Sequence, residues 1–219
     1  MSKKRLDILL VEKKLCESRN RAQSAIMQGS VLVDGKPVLK AGTPVSESAE
    51  ITLKIGQETA YASRAGEKLK AAIDEFAVAV ADETCIDIGA STVGFTDCLL
   101  QEGAERVFAV DVGYGQLVEK LRKDERVTVM DRVNARYLKP EDFPLRFGLC
   151  VIDVSFISLT LVFPAIPPLL KRPSGLLALI KPQFEAGREA VGKGGIVKDE
   201  KVHEACIQKV KTALEGLGF

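Results

Sequence analysis

The spacing of apolar residues divides the chain into two parts with different patterns. In the first part, residues 6–10 place apolar side chains on one helical face, and residues 18–29 show a second such face between a serine cap and a glycine stop. The stretch 31–38 turns at an Asp-Gly pair, a strong hairpin signal, and residues 51–53 predict another strand. Residues 1–60 are therefore predicted to form a small α+β unit.

From residue 63 onward, short apolar runs alternate with helical patterns. The runs, which predict strands, cover residues 85–88, 107–111, 127–130, 149–153 and 176–181. Helical patterns lie around residues 69–76, 98–100 and 117–121, after Ser158, and over 200–215. Regular alternation of strand and helix is typical of parallel sheets. Residues 61–219 are therefore predicted to form a mostly parallel, doubly wound, Rossmann-like α/β sheet.

Charge is unevenly distributed along the chain. The 219 residues carry a formal net charge of +1, yet residues 1–40 hold nine Lys or Arg against four acids. That stretch carries +5 and the remainder −4. A basic unit ahead of a mildly acidic domain suggests binding of a polyanion, and a solvated basic face is the alternative. The side chains predicted to make the contacts are Arg5, Arg19, Arg21 and Lys36.

The five cysteines indicate a reducing compartment. They are scattered, odd in number and form no C-x-x-C pair, which argues for free thiols and against a disulfide framework or a zinc site. Charged residues 12–14 interrupt the first apolar stretch, so a secretory signal is not expected. The longest other apolar stretch, 156–170, is too short for a bilayer and contains three prolines. We therefore expect a cytoplasmic protein with neither a membrane nor a metal partner, and no role for the single histidine, His203.

Two charged residues end successive apolar runs. Asp153 closes the run 149–153, and Lys181 closes the run 176–181. The carboxyl ends of parallel strands line the crevice in which α/β proteins bind ligands, so both side chains are predicted to face one active site. Lys181 could instead simply end its strand before Pro182. The pair favours an enzyme.

The turn after the first of these strands predicts the kind of cofactor. Ser91 stands where a dinucleotide fingerprint needs glycine, and Phe95 stands where a phosphate-binding loop needs lysine. An acidic residue before the turn, small residues within it, and Asp111, 22 positions after Gly89, instead suit a ligand with a ribose and an ammonium group. Asp111 would accept hydrogen bonds from both ribose hydroxyls, and Gly89 would allow close approach. S-adenosylmethionine has these groups; a merely structural turn is the alternative.

Five motifs, in order along the chain, resemble those of a known family. They are Ser63-Arg64-Ala65-Gly66-Glu67-Lys68-Leu69, the turn from Gly89 to Asp97, Asp131-Arg132-Val133-Asn134-Ala135-Arg136, Val151-Ile152-Asp153-Val154-Ser155-Phe156-Ile157-Ser158 and Ile180-Lys181-Pro182-Gln183-Phe184-Glu185. Together they are similar to the TlyA/haemolysin A family, whose catalytic domain belongs with the FtsJ-like ribose methyltransferases. The N-terminal part resembles the alpha-L RNA-binding motif of ribosomal proteins, so the resemblance covers almost the whole chain.

The resemblance implies S-adenosylmethionine-dependent 2′-O-methylation of ribosomal RNA, free or in ribosomal subunits, by a Lys-Asp-Lys-Glu tetrad. Lys68, Asp153 and Lys181 match its first three members. A ribose hydroxyl is a weak nucleophile, so a base must take its proton, and a lysine can serve only when a nearby ammonium group and partial desolvation lower its pKa. Lys181 is predicted to be the base, Lys68 its charged neighbour, and Asp153 the carboxylate that aligns lysines and hydroxyl. Considered alone, Lys68 would be an ordinary solvated helix lysine.

The predicted cofactor site combines the turn, the end of the next strand and a loop beyond it. Its residues are Asp87, Gly89, Ser91, Thr92, Gly94, Phe95, Asp111 and Asn134. Asn134 is the predicted contact to adenine, although a loop asparagine commonly caps a turn. Val93 occupies a position where the family has glycine, and a β-branched residue there is expected to narrow the space beside the ligand.

The tetrad's glutamate has no match before Phe219. We therefore expect a shortened form of the family's domain that lacks its final strands, leaves the last predicted strand as an exposed edge, and holds the cofactor but catalyses poorly. Glu185 is the nearby carboxylate that could substitute, from a predicted loop after Pro182. A non-catalytic RNA-binding or ribosome-assembly factor is the main alternative. A nicotinamide-dependent reductase is disfavoured by Ser91, and a membrane-lytic haemolysin by the lack of a suitable amphipathic helix.

Overall fold

The computed structural model describes residues 3–16, 18–27, 29–53, 61–91, 94–115, 119–192 and 194–219. The chain divides into two units, residues 1–58 with 193–195 and residues 59–192 with 196–219. Apolar side chains are buried in three clusters, one in the first unit and two in the second. Among the helices described, none is long and apolar enough to span a membrane.

The helices and hairpin of the first unit follow the apolar pattern of the sequence. Its helices are α1 (Leu6–Glu12) and α2 (Arg19–Met27), and its strands are β1 (Lys3–Arg5), β2 (Val31–Val33), β3 (Lys36–Pro37), β4 (Pro44–Ser46) and β5 (Ile51–Leu53). The Ser18 hydroxyl accepts a hydrogen bond of 3.2 Å from the Arg21 amide and caps α2. The strands form two antiparallel sheets, ordered β3-β2-β5 and β1-β4. The β1–β4 pair is absent from the sequence prediction because a strand of Lys-Lys-Arg has no apolar alternation.

The second unit contains a five-stranded parallel sheet. Its strands are β6 (Thr84–Ile88), β7 (Arg106–Asp111), β8 (Val127–Asp131), β9 (Phe147–Ile152) and β10 (Leu170–Ala178), and its helices are α3 (Arg64–Glu75), α4 (Gly94–Gln101), α5 (Glu119–Arg122), α6 (Pro182–Glu185) and α7 (Glu200–Glu215). The strand order is β10-β9-β6-β7-β8. One face of the sheet packs against α3 and α4, and the other against α7 and the segment 159–169. The predicted α/β fold is confirmed.

The chain reverses its direction across the sheet at β6, and this reversal positions the site. From β6 the chain moves to β7 and β8 on one side, then crosses to β9 and β10 on the other. Ile88 pairs with both Val110 and Ile152 at the carboxyl ends of these strands. Ligands of open α/β sheets bind at such a reversal, outside the carboxyl ends. Gly89 and Asp153, which follow directly, therefore border the expected crevice.

Two predicted elements differ in the structure. The helix expected after Ser158 is replaced by three short 3-10 turns, Leu159–Leu161, Phe163–Ala165 and Pro167–Leu169. The prolines of this segment lack an amide hydrogen and cannot continue an α-helix. Residues 179–181, expected to end the last strand, lie beyond β10 and lead into α6, because the partner strand β9 ends at Ile152, opposite Ala178, and Pro182 suits the first helical turn.

Candidate active site

The glycine turn after β6 touches the segment that follows β9. Gly89 has a φ of +83°, a conformation that side chains resist, and its amide donates to the Val110 carbonyl at 2.9 Å. A Cβ atom at this position would lie 2.7 Å from the Asp153 carbonyl oxygen. The Asp153 amide donates to the Ile88 carbonyl at 2.9 Å. Glycine is therefore required here both for its backbone angle and for the close approach of Asp153.

The structure brings the side chains of Asp153 and Lys181 together. The Lys181 Nζ lies 2.5 Å from Asp153 Oδ1 and donates to the Ser155 hydroxyl at 2.9 Å. The two charged side chains are 21% and 18% exposed, so they are shielded from bulk water yet open to a substrate. Asp153 follows β9 directly, whereas Lys181 precedes Pro182 at the start of α6 and does not end β10. The pair thus joins two loops at the carboxyl edge of the sheet.

Lys68 lies on α3, whose first turn packs against the first turn of α4. A Cβ atom on Gly66 would lie 2.8 Å from the Gly94 carbonyl oxygen, and one on Gly94 would lie 2.7 Å from the Gly66 amide nitrogen. The two glycines therefore let α3 approach the turn that precedes α4. The Lys68 side chain is exposed and forms no ion pair with any residue that the structure describes. The structure does not join it to the Asp153–Lys181 pair.

Asp111, the last residue of β7, holds the turn from the side. Its Oδ2 accepts a hydrogen bond of 2.9 Å from the Ser91 amide, and its Oδ1 accepts one of 2.6 Å from the Gly113 amide. Each carboxylate oxygen has a second lone pair, so the side chain keeps the capacity to accept two ribose hydroxyls. Thr92, another predicted contact of the turn, and Val93 both lie outside the described residues.

Two of the predicted cofactor residues are buried beneath the turn. Phe95 packs into the apolar core, and Asp87 is fully buried. Asp87 Oδ2 accepts a hydrogen bond of 2.6 Å from the Thr96 hydroxyl, while its Oδ1 has no partner among the described residues. Burial, together with the negative charges of Asp153 and Asp111, raises the pKa of Asp87 to about 7. Asp87 therefore supports the turn from inside the protein, and its charge influences the electrostatic potential in the crevice.

Two polar residues lie at the end of β8 and in the segment after it. Asn134 was predicted for the cofactor site, and Asp131 was not. Asn134 is exposed, and its side chain accepts a hydrogen bond of 3.1 Å from the Arg136 amide, so it caps a short turn. Asp131 is the last residue of β8, and its Oδ2 accepts from the Gly115 amide at 3.1 Å and from Arg122 at 2.9 Å. Its Oδ1 is buried without a partner in the described ranges. An acid at the end of a strand, the signal used for the neighbouring strands, could have identified it.

An aromatic pair with one exposed and one half-buried ring accompanies the charged pair and was also not expected from the sequence. Phe156 follows Ser155, is 71% exposed and has a φ of +66°, which is strained for a bulky residue. Its ring centroid lies 5.3 Å from that of Phe184, on α6. No local pattern separates an exposed phenylalanine from a buried one in this apolar segment, so only the structure reveals this surface.

In the first unit, a buried carboxylate organises two of the predicted RNA-binding arginines. Asp7 is fully buried in α1, and Arg5 donates to its two oxygens at 2.9 and 2.8 Å. Arg19 and Gln23 donate to the same carboxylate, each at 2.9 Å. The bonds from Arg5, and then those from Gln23 and Arg19, hold the pKa of Asp7 well below its usual range. Both arginines stay about half exposed, at 47% and 55%. The other two predicted contacts are the half-buried Arg21 and the exposed Lys36.

The crevice has the chemistry that S-adenosylmethionine requires. Asp111 offers acceptors to a ribose, and the unpartnered Oδ1 of Asp131 offers one to an amino group. The buried carboxyl of Asp87 would ionise more readily beside a cation. Within the described ranges, no group of three or more His, Cys, Asp or Glu side chains could hold a metal ion. The residues present therefore fit the predicted cofactor.

Comparison with known proteins identifies both parts of the chain. The FtsJ-like methyltransferase family matches residues 61–219, and the S4 domain matches residues 4–51. YqxC of Bacillus subtilis, named as a candidate rRNA methyltransferase, is 51% identical over 209 residues, which cover 95% of this chain and 74% of that protein. The 16S/23S rRNA (cytidine-2′-O)-methyltransferase TlyA of Mycobacterium tuberculosis is 44% identical over 215 residues, or 98% of this chain and 80% of that protein. A solved structure from Streptococcus thermophilus, described as a candidate hemolysin, is 45% identical and covers 97% of this chain and 78% of its own, with a TM-score of 0.70.

These matches confirm the resemblance that the five sequence motifs indicate. The family match spans most of the chain and includes every predicted catalytic and cofactor residue. It excludes a nicotinamide-dependent reductase. The chain therefore belongs to the FtsJ-like methyltransferase family, and its cofactor is S-adenosylmethionine.

Proposed function

We propose that this protein is a 2′-O-methyltransferase that acts on ribosomal RNA, free or in a ribosomal subunit. The observation that carries the proposal is the Lys181–Asp153 pair, whose charged atoms lie 2.5 Å apart beside the glycine turn. Methyl transfer to a ribose hydroxyl needs a group that removes a proton, and the pair supplies an amine and a carboxylate at the crevice. The name of the Mycobacterium tuberculosis relative supports the same reaction and substrate.

Lys181 is the base in this proposal. Its ion pair with Asp153 contains the charged amine, so Lys181 must lose a proton before it can accept one from the ribose hydroxyl. Lys68 remains the proposed charged neighbour, although its side chain is exposed on α3 and the structure does not join it to the pair. Asp153 then stabilises the amine when it takes up the hydroxyl proton. Ser155, which accepts from Lys181 at 2.9 Å, restricts the orientation of the amine.

The proposed cofactor contacts come from the ends of neighbouring strands. When bound, S-adenosylmethionine supplies an electrophilic methyl group on a sulfonium. Asp111 accepts hydrogen bonds from the ribose, beside the turn that begins at Gly89. Asp131 accepts a hydrogen bond from the adenine amino group through Oδ1, which has no partner among the described residues. Asn134 is the weaker acceptor for adenine, because its Oδ1 already accepts from a backbone amide.

RNA contacts are proposed on each unit. The match of residues 4–51 to the S4 domain and the excess of basic residues support RNA binding by the first unit. In the second unit, the exposed ring of Phe156, which lies against the half-buried Phe184, offers a face on which an unpaired base could stack. The phosphate contacts proposed in the first unit are Arg5, Arg19, Arg21 and Lys36.

Ribosomal RNA as the proposed substrate supports a cytoplasmic location. The four buried cysteines, Cys85, Cys98, Cys150 and Cys206, are free thiols, in agreement with a reducing compartment. Burial raises the pKa of Cys85 and of Cys98 to about 12, so these thiols are structural and take no part in the transfer.

The test is transfer of labelled methyl groups from S-adenosylmethionine to ribosomal RNA transcribed in vitro without modifications. We expect the parent chain to label the RNA, and mass spectrometry of the digested RNA to place the methyl group on a ribose 2′ oxygen. Lys181→Ala should lower kcat by about 100-fold or more, the scale of a lost general base. Lys211→Ala, a change on the exposed face of α7, should leave kcat unchanged. Binding of cofactor and RNA without transfer would favour the non-catalytic RNA-binding factor.

A further inference from the structure

Glu185 occupies a buried position between the segment after Asp153 and the segment after Lys181. It is the last residue of α6, and its side chain is 1% exposed. From the sequence, Glu185 is expected in a loop, as the nearby carboxylate that could substitute for the tetrad's glutamate. The structure corrects this, because Glu185 is helical and its carboxylate points into the protein.

Both oxygens of the Glu185 carboxylate bind the segment after Asp153. Oε2 accepts a hydrogen bond of 2.6 Å from the Ser158 hydroxyl, and Oε1 accepts one of 2.7 Å from the Leu159 amide. Lys209, on α7, donates to the Glu185 backbone carbonyl at 2.8 Å and to Oε2 at 3.3 Å. The carboxylate is therefore engaged by protein groups from two sides and has no exposed surface for a substrate.

Burying a carboxylate is a costly way to join two segments. Removal of the charge from water carries a large penalty, which the half-exposed Lys209 offsets only in part. An apolar contact would hold α6 against the loop at a lower cost. The carboxylate instead fixes the separation of the two segments, because its two oxygens accept directional hydrogen bonds.

The same two segments supply the groups that meet at the crevice. One contributes the Asp153 carboxylate and the Ser155 hydroxyl, and the other contributes the Lys181 amine, at 2.5 and 2.9 Å from them. A small displacement of either segment would break contacts this short. The outer contact between the segments, Phe156 to Phe184, joins an exposed ring to a half-buried one with centroids 5.3 Å apart, and restricts the separation less tightly.

We propose that Glu185 is a positioning residue for methyl transfer: it sets the distance between the Asp153 segment and the Lys181 segment, and with it the orientation of the Lys181 amine. The inference rests on the proposed role of Lys181 as the base. Glu185 touches neither substrate nor cofactor and acts through Lys181.

The test compares Glu185→Ala with Glu185→Gln and Glu83→Ala in the full chain. Glu83 directly precedes β6, at the opposite edge of the sheet, and pairs with Lys171 at 2.7 Å, so its removal costs an ion pair without touching the site. We expect Glu185→Ala to lower kcat by about 10-fold or more, to shift the pH profile of kcat, and to leave KM for S-adenosylmethionine within about twofold. Glu185→Gln keeps the shape and one acceptor, and should restore most of kcat.

A merely structural role gives a different result. Glu83→Ala and Glu185→Ala would then lose kcat in proportion to their loss of melting temperature, with unchanged pH profiles, and this outcome would overturn the proposal. If Glu185→Ala does not fold, Ser158→Ala removes one hydrogen bond to the carboxylate. It should lower kcat less and shift the pH profile in the same direction, and an unshifted profile would also overturn the proposal.

A second readout separates this inference from the proposed function. The Lys181 amine should react with an acylating reagent faster in Glu185→Ala than in the parent, and at the parent rate in Glu83→Ala, as measured by mass spectrometry of its peptide. Equal rates in all three proteins would overturn the positioning role even if the parent methylates RNA. Failure of the parent to methylate RNA would overturn the proposed function, while the acylation rates would still decide the position of Lys181.

Discussion

The backbone of Gly89 lies against the backbone of Asp153: a Cβ atom on Gly89 would lie 2.7 Å from the Asp153 carbonyl oxygen. The Asp153 amide is also bonded to the Ile88 carbonyl at 2.9 Å, so the contact is held on both sides. The turn proposed to hold the cofactor and the segment that carries the proposed catalytic carboxylate are therefore mechanically linked. A substitution in the turn should disturb the Asp153–Lys181 pair.

Gly89→Ala should reduce both stability and cofactor affinity. A side chain at φ +83° is strained by about 1–2 kcal/mol, and displacement of the Asp153 backbone should add about 1–3 kcal/mol. Thermal unfolding and calorimetric titration with S-adenosylmethionine measure the two effects. Gly35→Ala is the control, because Gly35 has a φ of +75° and a Cβ atom there would meet nothing within 4 Å, so it reports strain alone. An equal cost for the two changes would show that the contact with Asp153 is dispensable.

Asp111→Ala should weaken the binding of S-adenosylmethionine by about 1.5–3 kcal/mol, the range for lost hydrogen bonds to a charged group. Part of this loss would come from the turn, because Asp111 also accepts from the Ser91 and Gly113 amides. Asp111→Asn keeps one oxygen acceptor and should lose less. Calorimetry measures both affinities, and an unchanged affinity in Asp111→Ala would exclude Asp111 as the ribose acceptor.

Asp87 should make the stability of the protein depend on pH. Its pKa is raised to about 7 by burial, against about 3.9 for a free aspartate, so the folded state binds this proton more tightly than the unfolded state. Its contribution to the free energy of unfolding is therefore largest below about pH 4, falls as pH rises to about 7, and is lost above that. Asp87→Asn keeps an acceptor for Thr96 and should remove this slope. Denaturant unfolding of both proteins across this range is the measurement, and parallel curves would contradict the prediction.

Asp7→Asn tests whether the buried carboxylate positions Arg5 and Arg19 or competes with RNA for them. The change removes one negative charge but frees both guanidinium groups from a fixed orientation. We expect RNA affinity to fall by about 1–2 kcal/mol, the entropy of ordering two side chains on binding. Glu12→Gln is the matched control, because it makes the same charge change at an exposed acid that pairs only with Lys4 among the described residues. A rise in affinity equal to that of Glu12→Gln would show that Asp7 competes with the RNA.

Most helices and strands follow from the sequence because their signals are local. The helix at residues 200–215 has its predicted bounds, since an apolar stripe at helical spacing and the Asp199 cap need no distant partner. The ends of β7 and β9 are equally clear, because a buried apolar run stops at Asp111 and Asp153. Parallel strands align these ends, so the apolar pattern alone predicted that Asp111 and Asp153 lie at the same edge of the sheet.

The partners of the polar side chains were decided only by the tertiary structure. The sequence does not predict that Glu185 and Asp7 are buried, and their donors come from segments that folding brings beside them. Lys181 meets Asp153 because two loops close on each other at the carboxyl edge of the sheet. The spacing of apolar residues belongs to a single helix or strand, so it can be recognised from residues that are close in the sequence. A buried hydrogen bond depends on the separation and angle of two elements, which packing sets and no local pattern encodes.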